Sequence, residues 1–222
     1  MSGTLQASVV KDSASATNNL ALDASGNVTV GNNLTVTGTS AHTGNATFAG
    51  TITGSSTIAA ATGTLYPLVS GTSQASTSGT SITFSSIPSW VKRITVMLNG
   101  VSTSGTSIVL TQLGAGSVTN TGYLGAVSQT TNGNTPIGAN FSTGFQIDQA
   151  ANAAAVRYGQ IVFTLISGNN WVVAGTTARS DNASTSSLSG SIALSGALDR
   201  VVITTVNGTD TFDAGSINIL YE

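Results

Sequence analysis

The sequence predicts an all-β protein: an N-terminal fibrous β shaft shared between three chains, then a C-terminal antiparallel β-sandwich of jelly-roll type. Three observations carry this. A six-residue period runs through residues 26–64. Apolar and polar residues alternate in longer stretches from residue 65 onward. Only 6% of residues are charged, against about 25% in an average globular domain. Ser, Thr, Asn and Gly supply the polarity instead. Thr favours strands through its β-branch, and Gly and Asn suit tight turns.

Residues 1–25 hold two short apolar runs, Ser8-Val9-Val10 and Leu20-Ala21-Leu22, and are read as an attachment segment. The turn Asp23-Ala24-Ser25-Gly26-Asn27 leads into the period. Stepping by six from Val28 gives Leu34, Ser40, Ala46, Ile52 and Ile58; from Val30 it gives Val36, His42, Phe48, Gly54 and Ala60. Each unit reads as a short strand with two residues facing inward, followed by a turn. Such short periods belong to solenoids and related fibres, in which one repeat cannot bury its own apolar face. Two buried aliphatic side chains contribute roughly 3–5 kcal/mol, while ordering six residues costs roughly 6–12 kcal/mol of backbone entropy. Copies wound together would bury both the stripe and the backbone hydrogen bonds, so the shaft is expected to be homotrimeric.

The run AAATGT at 59–64 breaks the period, and 70–80 (SGTSQASTSGT) reads as a loop. Strands are expected at 81–85, 91–99, 106–113, 122–129, 141–148, 155–166, 170–179, 188–195, 199–206 and 215–221, with a bulge near Lys92–Arg93. Turns are expected at Asn99-Gly100, Asn132-Gly133-Asn134, Ser167-Gly168-Asn169-Asn170 and Asn207-Gly208. The one run with helical composition, residues 149–155, is too short for a stable helix. The expected core comprises Val96, Leu98, Val109, Ile161, Phe163, Val173, Val202 and Ile219, by alternation within strands.

Composition narrows the function. The net charge is −2, and the only adjacent cations are Lys92 and Arg93, so no basic patch for nucleic acid is expected. No run approaches the ~18 apolar residues that a membrane span needs. The N-terminus lacks a basic start and apolar core of the signal-peptide kind, which points to synthesis in a cytoplasm. With no Cys, stability cannot depend on disulfides, and most structural zinc schemes are removed.

The phrases ALDASGNVTVGNNLTVTGTS and GNATFAGTITGSSTI resemble the shaft repeats of bacteriophage tail fibres and other virion fibres. The segment IPSWVKRITVMLNGVSTSGTS and the ending AGSINILYE resemble C-terminal domains of phage structural proteins. The resemblance implies a homotrimeric fibre located in the virion. Its N-terminal end would dock on another virion protein, and its β-domain would face outward. It implies either attachment to a host-surface glycan or a purely structural place, as a head fibre or decoration protein. It supplies no residue-level site.

Candidate sites follow from residue chemistry. His42 is the only His and occupies an inward slot of the period; three copies at an axis could hold a metal or an anion, and a solvated polar defect is the alternative. Trp171, Tyr123 and Trp90 could stack on sugar rings, with Asn169, Asn170, Asn132 and Asn134 supplying hydrogen bonds from loops. Packing at a sandwich end is the alternative for each aromatic. Packing is the favoured reading for each, and Trp171, just after a loop, is the better candidate for exposure. The receptor loops would be 99–105, 130–140, 167–171 and 180–187. Asp210-Thr211-Phe212-Asp213 and Asp181-Asn182 place carboxylates in loops, where calcium or simple turn roles fit. A Ser–His–Asp triad would have to use His42, and eight acidic residues in the whole chain make a glycosidase carboxylate pair improbable. The chain is therefore not expected to be an enzyme, and no cofactor is expected.

Overall fold

The computed structural model describes residues 67–222, together with five short strands before them. Those are β1 (Val9–Val10), β2 (Leu20–Leu22), β3 (Val28–Val30), β4 (Ile58–Ala60) and β5 (Gly63–Leu65). β1, β2 and β3 form an antiparallel three-stranded sheet, and β4 pairs with β5. The chain divides into two units, Met1–Ser55 and Ser56–Glu222. Most of the period-six stretch lies outside the described residues, and so does His42.

From residue 67 the described chain is all-β, entirely antiparallel and without a helix. Its strands are β6 (Val69–Ser70), β7 (Gln74–Ala75), β8 (Ser81–Ser85), β9 (Arg93–Thr103), β10 (Val109–Ala115), β11 (Ser117–Val118) and β12 (Leu124–Thr131). They continue with β13 (Ile137–Asn140), β14 (Phe145–Gln146), β15 (Arg157–Ser167), β16 (Asn170–Arg179), β17 (Ser184–Ala193), β18 (Arg200–Thr205) and β19 (Phe212–Tyr221). A nine-stranded sheet runs β13-β12-β17-β16-β15-β9-β19-β6, with β7 also on β19. A five-stranded sheet runs β11-β10-β18-β8, with β14 on β10.

One core joins the two sheets, an arrangement consistent with the expected sandwich. Ile94, Val96 and Leu98 of β9, Ile161 and Phe163 of β15, and Trp171 and Val173 of β16 enter it from the larger sheet. Ile82 and Phe84 of β8, Val109 and Leu113 of β10, and Val201 and Ile203 of β18 enter it from the smaller one. All eight residues expected in the core are buried. Phe145 sits at the centre of an aromatic group, with ring centroids 4.7 Å from Tyr123, 5.3 Å from Phe141 and 5.8 Å from Phe163. The first two contacts are edge-to-face, the favoured geometry for ring quadrupoles.

Three local expectations are corrected. Asn99-Gly100 is not a turn: β9 runs through it to Thr103, and the register shifts there instead. Gly100 has φ +69°, so its left-handed freedom serves a bulge. The stretch 141–148 forms only the two-residue β14. The strand expected at 188–195 begins earlier, at Ser184, and ends at Ala193. Near Lys92–Arg93 both backbone N–H groups donate to the Glu222 carbonyl, at 2.7 and 2.9 Å, the convergent pairing of a bulge.

Candidate binding loops

Strand register sorts the candidate loops by end. Arg157 of β15 pairs with Val101 of β9 and with Arg179 of β16. Arg179 in turn pairs with Ser184 of β17, and Ser184 with Thr131 of β12. The β12–β13 turn, the β16–β17 turn and the segment leading into β15 therefore share one end of the larger sheet. The β15–β16 turn, with Asn169 and Asn170, lies at the opposite end.

The first end is tied together by buried polar groups. Arg157 Nε donates to Asp148 Oδ2 at 2.6 Å, and both side chains are 1% exposed. The rest of the guanidinium donates to the carbonyls of Ala155 and Ala150, each at 3.2 Å. Asp148 Oδ1 accepts from the Ala150 N–H at 3.2 Å. Burial pushes the Asp148 carboxyl above the usual carboxylate range, against the pull of Arg157. Gln129 Oε1 of β12 accepts from the Gln149 N–H at 2.9 Å and from Ser186 Oγ at 3.3 Å. Thr177 Oγ1 donates to the Ile147 carbonyl at 2.7 Å. Side chains thus serve the Ile147, Gln149, Ala150 and Ala155 backbone groups of this irregular stretch, as its buried parts require.

The neighbouring turns join the same network. Asp181 Oδ1 accepts from the Val156 N–H at 3.0 Å and from Arg179 Nε at 3.1 Å. The Asp181 carboxyl is held below its ordinary range: burial pushes it up, and the Arg179 and Val156 hydrogen bonds outweigh that push. The Asn132 N–H donates to the Ala183 carbonyl at 3.0 Å. Asn132, Asn134, Asn152 and Asn182 remain exposed. Loop atoms tied this closely present their hydrogen-bonding groups with little freedom left to lose on binding.

The aromatic candidates do not present faces. Trp171 is 3% exposed and Tyr123 is 4% exposed, so both follow the packing reading, and neither ring is placed for the stacking on sugars also considered for them. Trp171 follows the turn but occupies an inward position of β16 and packs into the core. Tyr123 donates to the Thr119 carbonyl at 2.7 Å and accepts from the Leu113 N–H at 3.0 Å. Burial pushes its phenol up to about 12. Trp90 is half-buried beside Tyr221, at 5.9 Å. Asn170 is exposed and Asn169 half-buried.

The carboxylates proposed for an ion already have donors. Asp210 accepts from the Ser107 N–H and from Asn207 Nδ2, both at 2.8 Å, which holds it below its ordinary range. Asp213 accepts from Ser102 Oγ. Among the described residues no group of three or more His, Cys, Asp or Glu is placed to hold a metal. Sequence reasoning missed Asp148, Arg157 and Gln129. The signal was available: in a chain this poor in charge, Asp148 follows the alternating Phe145-Gln146-Ile147 and Arg157 follows Ala153-Ala154-Ala155-Val156. No family model, curated protein or solved structure matches the chain.

Proposed function

We propose that this chain is a phage virion fibre protein, homotrimeric, non-enzymatic and attached to its host through a surface glycan. Its β-body, which we take as a sandwich of jelly-roll type, carries the binding loops. Residues 1–25 dock on another virion protein. The observation that supports the binding role is the loop cluster at one end of the larger sheet. It is polar, exposed at its tips and held from beneath by the Asp148–Arg157 pair. Recognition on β scaffolds concentrates on such loops. Glycan binding through Asn132 and Asn134 would be weak per chain, and three copies on one shaft would strengthen it by avidity.

The burial of Trp171 and Tyr123 favours a second reading, a structural virion component that binds no receptor, because it removes the flat aromatic platform expected of a sugar site. One experiment separates the two. The full-length purified chain is added in excess before the parent particle meets its host. Receptor binding predicts that adsorption falls, and that Asn132→Ala with Asn134→Ala restores it. Unchanged adsorption, with the protein folded and oligomeric, replaces the receptor reading with the structural one.

A further inference from the structure

The outward face of the larger sheet carries an assignment of its own. Alternation places the odd-numbered residues of β15 and β16 inward and their even-numbered residues outward. In β17 and β12 the pairing fixes which residues share that outward face. One row runs straight across it: Ala126, Ser189, Ala174, Val162 and Thr95 are successive register partners. None of the outward residues of β12, β15, β16 and β17 is charged; on β9 the outward Arg93, partner of Thr164, stands at the corner of the face and pairs with Glu222 at 3.2 Å. Two large aliphatic side chains, Leu124 at 66% and Ile166 at 65% exposed, stand toward one end of the same face.

We propose that this face is where copies of the chain meet one another. Its size, its charge and its side chains suit a second copy better than a foreign partner. First, five strands spaced ~4.8 Å apart, each about nine residues long at ~3.3 Å per residue, cover roughly 700 Å². That approaches the roughly 800 Å² that each partner contributes to a stable interface. Second, a face whose one charged side chain, Arg93, sits at its corner and is already paired with Glu222 meets its own copy with little like-charge repulsion and little charge to desolvate, whereas it gives a charged partner little to recognise. Third, small side chains such as Ala174 and Ser189 let two sheets approach to the ~10 Å spacing of stacked sheets. On the homotrimer reading above, a shared shaft also raises the local concentration of the bodies, so a modest face suffices.

The absence of Cys makes the test direct. Ala174→Cys and, separately, Ser189→Cys place a single thiol on the centre of the face; Ser117→Cys places one on β11 of the other sheet. All three positions are exposed in one chain. The full-length variants are treated with a bulky maleimide, and their mass is measured by light scattering. The expected result is an oligomer in which the face thiols react at least tenfold more slowly than the β11 thiol, the difference vanishing in denaturant. An oligomer in which all three thiols react alike overturns the face assignment and leaves the oligomeric reading standing. A monomer in which all three react alike overturns both. Two face positions keep the result readable if one variant fails to fold.

Discussion

Replacing Arg157 with Met leaves the Asp148 carboxylate buried without its partner. It also strips donors from the carbonyls of Ala150 and Ala155. Removing one member of a buried pair costs about 3–5 kcal/mol, because a charge remains where water cannot reach it. Both side chains are 1% exposed, so the upper part of that range applies. For a body of this size the same figure corresponds to a fall in Tm of roughly 6–20 °C. The assay is urea denaturation followed by Trp fluorescence, since both Trp residues, Trp90 and Trp171, lie in the β-body. The pH dependence identifies the mechanism. Without Arg157, burial raises the folded-state pKa of Asp148 above its unfolded value. The penalty is then fully present above the folded pKa and disappears as pH falls below the unfolded one. The deficit of Arg157→Met should therefore shrink toward acid, and Asp148→Asn in the same background should recover most of it at neutral pH. A deficit that is equal at all pH values, or below about 1 kcal/mol, refutes the reasoning and reduces Arg157 to a packing residue.

Three further outcomes are expected. Gly159 sits inside β15 with φ +136°, and an added Cβ would lie 2.3 Å from the Thr176 carbonyl oxygen; Gly159→Ala should cost about 2 kcal/mol or more in a denaturant titration. Phe145 is fully buried among three rings, and Phe145→Ala should cost roughly 3–5 kcal/mol in the same titration. Asp210 has a depressed folded-state pKa, so its contribution is present above the ordinary carboxylate value and lost as pH falls through the depressed one; an acid titration should show a smaller loss of stability for Asp210→Asn than for the parent chain.

Much of the β-body was legible because alternation is a strong signal where one face of a strand is buried. β8 and β16 fall on their expected limits, Ser81–Ser85 and Asn170–Arg179. The signal failed where polar residues face inward. Ser184 and Ser186 are buried, so the first half of β17 read as loop. Asn99-Gly100 has the composition of a turn, yet the chain uses its left-handed Gly for a bulge within β9. The site was less legible than the fold. Position just after a turn made Trp171 the better candidate for exposure among the aromatics, but inward phase in the strand decides burial, and Trp171 shares its phase with Val173. The Asp148–Arg157 pair could be found only by asking why a charge-poor chain keeps two charges among apolar residues.

That question leads to how this chain stabilises irregular structure. It has no disulfide to staple a loop and few charges to spend on one. Among the described residues its ionisable groups are concentrated at strand ends and loops. Asp148 and Arg157 hold the segment before β15, Arg179 and Asp181 the β16–β17 turn, and Asp210 the loop around Ser107. Backbone pairing and apolar burial satisfy the sheets without charge, since antiparallel ladders close their own hydrogen bonds. Irregular segments cannot do this, and each buried N–H or C=O there needs a side-chain partner. A carboxylate or guanidinium satisfies several at once, as Arg157 does for Ala150 and Ala155. Charges used this way leave the centre of the broad sheet face uncharged, with Arg93 and its partner Glu222 at the corner. The same economy thus fixes the loops in place and leaves the middle of the larger sheet's outward face open for the contact between copies that we propose.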